Sequence, residues 1–100
     1  VIPTLRANLR FMDSKVFVHE GRLNESIIAL DDAWRLHPIS VFPFTKAALF
    51  NSAGLYADAL ESVDLALEVE RSKVGLRRQN IELYQRLRAS VRLNLDELEE

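Results

Sequence analysis

Two solitary glycines, Gly21 and Gly54, stand 33 residues apart, and the residues around them recur at the same offset. Phe11 recurs as Phe44, Phe17 as Phe50, Asp31 as Asp64 and Ala33 as Ala66. Conservative pairs fill the intervals: Ser14 with Ala47, Val16 with Leu49, Ser26 with Ala59, Ile27 with Leu60, Leu30 with Val63 and Leu36 with Val69. Small and apolar positions repeat, and the charged ones between them vary. A period of this length marks stacked structural units, because one small helical unit cannot bury its apolar face without a neighbour.

Each unit reads as two helices. In the first, Leu5, Leu9, Met12 and Val16 form an amphipathic stripe at helical spacing, and Pro3 suits the opening turn. Gly21 is expected to end that helix in the left-handed region. Asn24 is the expected cap of the second helix, whose buried side carries Ser26, Ile27, Leu30, Ala33 and Trp34. Pro38 closes the unit. The second unit repeats the scheme, with Ser40 as a cap, Pro43 in the first turn, and Ala47, Phe50 and Ala53 leading to Gly54. Ala59, Val63 and Ala66 then form a small-residue face. Past Gly75 no further glycine or proline interrupts the chain, and Ile81, Tyr84, Leu87 or Arg88, and Val91 keep helical spacing. The prediction is an all-α chain of five helices, near 3–18, 23–36, 41–53, 56–70 and 73–95, the last capping the stack.

Composition agrees with a single small globular unit spanning 1–100: 48% of the residues are hydrophobic and 28% charged, too apolar for a disordered chain. There is no cysteine, which excludes a disulfide framework, a thiolate zinc site and a cysteine nucleophile. No apolar run is long enough to cross a membrane. The start at Val1-Ile2-Pro3 rather than Met is read as that of a domain excised from a longer chain.

The stretch from Gly21 to Pro38, with small Ser26 and Ala33 around bulky Leu30, resembles the second helix of a tetratricopeptide repeat. Gly54 to Glu70 resembles it again through Tyr56, Ala59, Val63 and Ala66, with Arg71 where the closing proline is expected. In the first helices, Ser14 and Ala47 match the family's small position, and Phe17 and Phe50 its aromatic one. Arg10 and Asp13, and Pro43 and Lys46, replace the family's early Trp and Leu. Ankyrin repeats share the period but need a Thr-Pro-Leu-His turn that is missing here. The resemblance implies a right-handed α-α superhelix: repeat one near 7–38, repeat two near 40–71 and a capping helix near 73–95. It further implies a concave face that takes a peptide segment or a partner's helix. By matching positions, the candidate contacts are Asn8, Phe11, Lys15, His19, Phe44, Asn51, Arg77 and Tyr84, with Phe11 and Phe44 equally readable as core.

Enzymatic signals are missing. The glycines are solitary, so no phosphate-cradling loop exists, and His19 and His37 lie outside any metal-binding spacing. No catalytic, cofactor or metal residue is assigned. Charge is segregated: residues 39–70 balance to −4, and residues 71–92 to +6, through Arg71, Lys73, Arg77, Arg78, Arg86, Arg88 and Arg92 against Glu82. That basic stretch is either a binding surface or the complement of the acidic helix before it, and an i, i+4 ladder Arg78–Glu82–Arg86 is expected within it. A net charge of −2 argues against nucleic acid as the partner. The sequence therefore points to a non-enzymatic protein- or peptide-binding scaffold. The alternatives are an accessory domain of a larger enzyme or membrane machine, such as a bacterial polysaccharide polymerase or oligosaccharyltransferase, and a homodimerisation unit using the uncovered face of the first helix.

Overall fold

Gly21 and Gly54 set the frame of the fold. In the computed structural model, which describes residues 3–72 and 78–99, they take φ of +76° and +80°. Both close a helix by the same pair of hydrogen bonds. Gly21 N–H donates to Val18 and Arg22 N–H to Phe17, at 3.0 and 2.8 Å. Gly54 N–H donates to Asn51 and Leu55 N–H to Phe50, at 3.2 and 2.9 Å. This is the Schellman pattern, which satisfies carbonyls left over at a helix end and needs a left-handed residue at its centre. The following helices start alike, after Arg22 at φ −99°, ψ 72° and Leu55 at φ −93°, ψ 68°.

Five helices result: α1 (Pro3–His19), α2 (Leu23–Leu36), α3 (Val41–Ser52), α4 (Tyr56–Arg71) and α5 (Arg78–Glu99). The described residues contain no strand. The predicted helices coincide with these to within a few residues at each end, except at the start of the fifth. Residues 73–77, including Arg77, lie outside the described residues. α5 also runs on past residue 95, to Glu99.

α1 and α2, α3 and α4, and α4 and α5 pack along their lengths, with a smaller α2–α3 seam. The antiparallel sense follows from cross-links such as Ser14 with Ser26 and Asp64 with Arg88. Each even-numbered helix is thus wedged between the two helices that flank it in the chain. The Cα extents of 50 × 36 × 17 Å describe a slab two helix layers deep, given axes that pack about 8–10 Å apart.

Small residues set those approaches. Ala33 and Ala66, Ser26 and Ala59, and Ser14 and Ala47 are buried in equivalent pairs, 33 residues apart. Where the first unit has serines, their polarity is satisfied locally: Ser26 Oγ donates to the Ser14 carbonyl at 3.0 Å, and Ser14 Oγ to that of Phe11 at 2.6 Å. One core cluster gathers Ala7, Leu30, Ala33 and Phe42; the other gathers Ala47, Val63, Ala66, Leu67 and Tyr84. Phe42 is the largest of the fully buried side chains, and burying such a ring contributes about 1.5–3 kcal/mol.

Several sequence expectations are corrected. Neither expected cap acts as one. α2 begins at Leu23, so Asn24 falls inside its first turn, and Arg22 makes no side-chain capping bond. Ser40 does occupy the position before α3, but its hydroxyl bonds elsewhere. The α1 stripe of Leu5, Leu9, Met12 and Val16 faces solvent, each side chain at least 54% exposed. The buried side of α1 is instead the one carrying Ala7 and Ser14, because only small residues let α2 come close.

Candidate functional site

The candidate residues divide into three groups. On α1, Asn8, Lys15 and His19 are exposed, and Phe11 is half-buried between them and the core. Lys15 Nζ sits 4.5 Å above the Phe11 ring, a cation–π contact that holds a flexible chain near one place. Phe11 also meets Phe42 of α3 in a T-shaped contact, with ring centroids 5.4 Å apart at 62°. His19 ends α1, where a cation would meet the negative end of the helix dipole.

The second group lies between α3 and α5. Phe44 stacks on Tyr84 at 4.5 Å and 25°, and Tyr84 is only 4% exposed. Asn51 accepts a hydrogen bond at 3.0 Å from the amide of Asn94. These three side chains tie α3 to α5 from within. The third group is Arg77 alone, which lies outside the described residues. The exposed members of the candidate set are therefore Asn8, Lys15 and His19 on α1, whereas Phe11, Phe44 and Asn51 are half-buried.

Beside His19, Val18, Gly21, Leu23, Leu49, Ser52 and Ala53 line a shallow, largely apolar depression of about 230 Å³ between α1 and α3. It is roomy enough for one aliphatic side chain. No family model, curated protein or solved structure matches the chain.

A polar cluster that the sequence reading missed sits at the other end of α3. Glu70 is 1% exposed, and Ser40 donates its hydroxyl to the Glu70 carboxylate at 2.6 Å. Ser40 Oγ also lies 2.9 Å from the Tyr84 hydroxyl, and the Asn80 amide approaches Glu70 at 3.5 Å. A hydroxyl has one hydrogen, so with the Ser40 proton given to Glu70 the Tyr84 O–H donates to Ser40. The cleft beside it holds about 520 Å³ and is lined further by His37, Ile39, Val41 and Leu83. A signal was present: Glu70 falls four residues after Ala66, on the same face as Ala59 and Val63. Phe42 was missed for a different reason, since the repeat offset drew attention to Phe44.

Electrostatics knit the layers together. Arg10 donates to Asp32 of α2 at 2.9 Å and to Asp13 at 3.0 Å; Arg35 pairs with the other Asp32 oxygen; and Lys46 of α3 reaches Asp31 at 2.8 Å. Burial by itself would raise the Asp32 carboxyl, but the hydrogen bonds from Arg10 and Arg35, with their charges, outweigh it and hold the group below its ordinary value. On α5, Arg88 meets Asp64 of the acidic α4 at 2.7 Å, so at this point the basic stretch complements its neighbour. The expected Arg78–Glu82–Arg86 ladder is not formed among the described residues. Nor do three His, Asp or Glu side chains gather there around a place for a metal ion. No described helix is long and apolar enough to cross a membrane.

Proposed function

We propose that the chain is a tetratricopeptide-like, non-enzymatic interaction module: two stacked helix pairs in a right-handed superhelix, closed by α5. It binds an extended peptide segment of another protein along the face of the odd-numbered helices. The observation that supports this reading best is the 33-residue recurrence of backbone geometry, in which φ, hydrogen bonds and helix starts repeat around Gly21 and Gly54. Such a recurrence is what a stack of like units needs. The exposed amide of Asn8 offers pairing to a peptide backbone, Lys15 offers charge to a carboxylate, and the depression beside His19 offers an apolar seat. Two units present limited area, so a dissociation constant of about 1–100 μM is expected.

Selection of peptides from a random displayed library on the immobilised chain tests this. Enriched peptides should share an aliphatic anchor near an acidic residue or a C-terminal carboxylate. They should lose affinity about tenfold or more on the Asn8→Ala, Lys15→Glu variant with its helical circular dichroism intact. Failure to enrich any peptide, or equal binding by the variant, would overturn the proposed site.

A further inference from the structure

The exposed stripe on α1 has a spacing that its own helix does not use. Leu5, Leu9, Met12 and Val16 are separated by four, three and four residues, the a/d rhythm of a coiled-coil seam. Their exposures of 55, 54, 61 and 56% put all four on the side of α1 away from α2. A seam of this kind can be covered by another helix with the same rhythm, and the chain supplies one: α1 of a second copy.

We propose that the protein forms a two-fold dimer through an antiparallel α1–α1 pair. In that arrangement Leu5 faces Val16 of the second copy, and Leu9 faces its Met12. Each contact occurs twice, because a two-fold interface is self-complementary. The charges on the flanks favour this order. On one side, Arg6 lies opposite Asp13 of the second copy, again twice. On the other, Asn8 lies opposite Lys15, so no like charges meet. Arg6 is exposed, and Asp13 has one carboxylate oxygen on Arg10 and its other available to a new donor. A parallel pair would instead rely on Lys15 and Glu20. Glu20 lies past the end of α1, in the turn before Gly21, and already stands 3.7 Å from Arg22. The seam is two heptads long, so the dimer is weak and reversible. It shares Asn8 and Lys15 with the proposed peptide site, so a second copy and a peptide compete for that flank of α1, whereas its stripe residues are separate from the depression beside His19.

Sedimentation equilibrium of the 100-residue chain, from about 1 μM to about 1 mM, provides the test. The wild type should pass from monomer to dimer within that range. Leu9→Gln, Met12→Gln should weaken the dimer about tenfold or more while leaving the helical circular dichroism unchanged, since both side chains are exposed. Arg6→Asp places acid opposite acid, and Asp13→Arg places base opposite base. Each alone should weaken self-association, and an equimolar mixture should restore a heterodimer at least as tight as the wild type. The proposal is overturned by a wild type that stays monomeric to about 1 mM, which would leave the stripe to a different polypeptide. It is equally overturned by a dimer insensitive to the glutamines, or by a mixture no tighter than its components.

Discussion

Ser40 and Glu70, thirty residues apart, are joined by a 2.6 Å hydrogen bond inside the protein. The bond links the start of α3 to the end of α4, and the Tyr84 hydroxyl extends it to α5 at 2.9 Å. A buried carboxylate is tolerated only when donors surround it, so the three helix ends are fixed relative to one another by one polar group. Removing one donor from such a group costs more than the bond itself contributes, because the acceptor is left short.

Ser40→Ala should therefore destabilise the protein by about 1–3 kcal/mol. Tyr84→Phe keeps the stacking on Phe44 and removes only the hydroxyl, so it should cost about 1 kcal/mol. Urea denaturation of the two variants checks the ranking. A neutral Ser40→Ala would show that the cluster does not hold the three ends together.

Ala33 and Ala66 are completely buried, one in each core cluster. Leucine at either position should overpack the crossing and cost about 1–3 kcal/mol. Ala57→Leu, on the exposed side of α4, should change stability by no more than about 0.5 kcal/mol. Thermal melts of all three separate packing from general hydrophobicity, and equal effects would count against close approach at the small residues.

At Gly21 and Gly54 an added Cβ would meet nothing within 4 Å. The cost of Gly→Ala there is consequently backbone strain alone, about 1–2 kcal/mol at φ near +80°. Because the two turns share their geometry, the two costs should agree to within about 0.5 kcal/mol. A large difference in chemical denaturation would show that the turns are not equivalent.

The Asp32 carboxyl, held low by Arg10 and Arg35 against the effect of burial, links stability to acid pH. Its folded value lies below the unfolded one of 3.8, so its contribution is complete above that pH. It is lost as pH falls through the folded value. Asp32→Asn should lower the melting temperature at pH 7 and make the acid limb below about pH 4 shallower. Parallel limbs for wild type and variant would remove Asp32 from the acid response.

The sequence by itself determined the helices and their stops. Glycine is the residue that takes positive φ without strain, so Gly21 and Gly54 announced two turns, and the recurrence of small residues announced where helices come together. Of the candidate contacts, the exposure of Asn8, Lys15 and His19 on α1 was legible too, since polar residues on a surface helix face water. Tertiary structure decided the rest. α1 carries two faces that could be buried, one apolar and one small, and which of them α2 covers depends on how closely the axes approach, a property of the pair. Ser40 stands where a cap is expected, yet its hydroxyl is turned to donate to the buried Glu70 carboxylate instead of accepting from a backbone N–H of α3. Tyr84 and Asn51 read as surface contacts until α5 packs against α3 and uses them within. Local pattern fixes what each segment can become, whereas the choice among its faces is made by neighbours distant in sequence, through contacts that no single segment encodes.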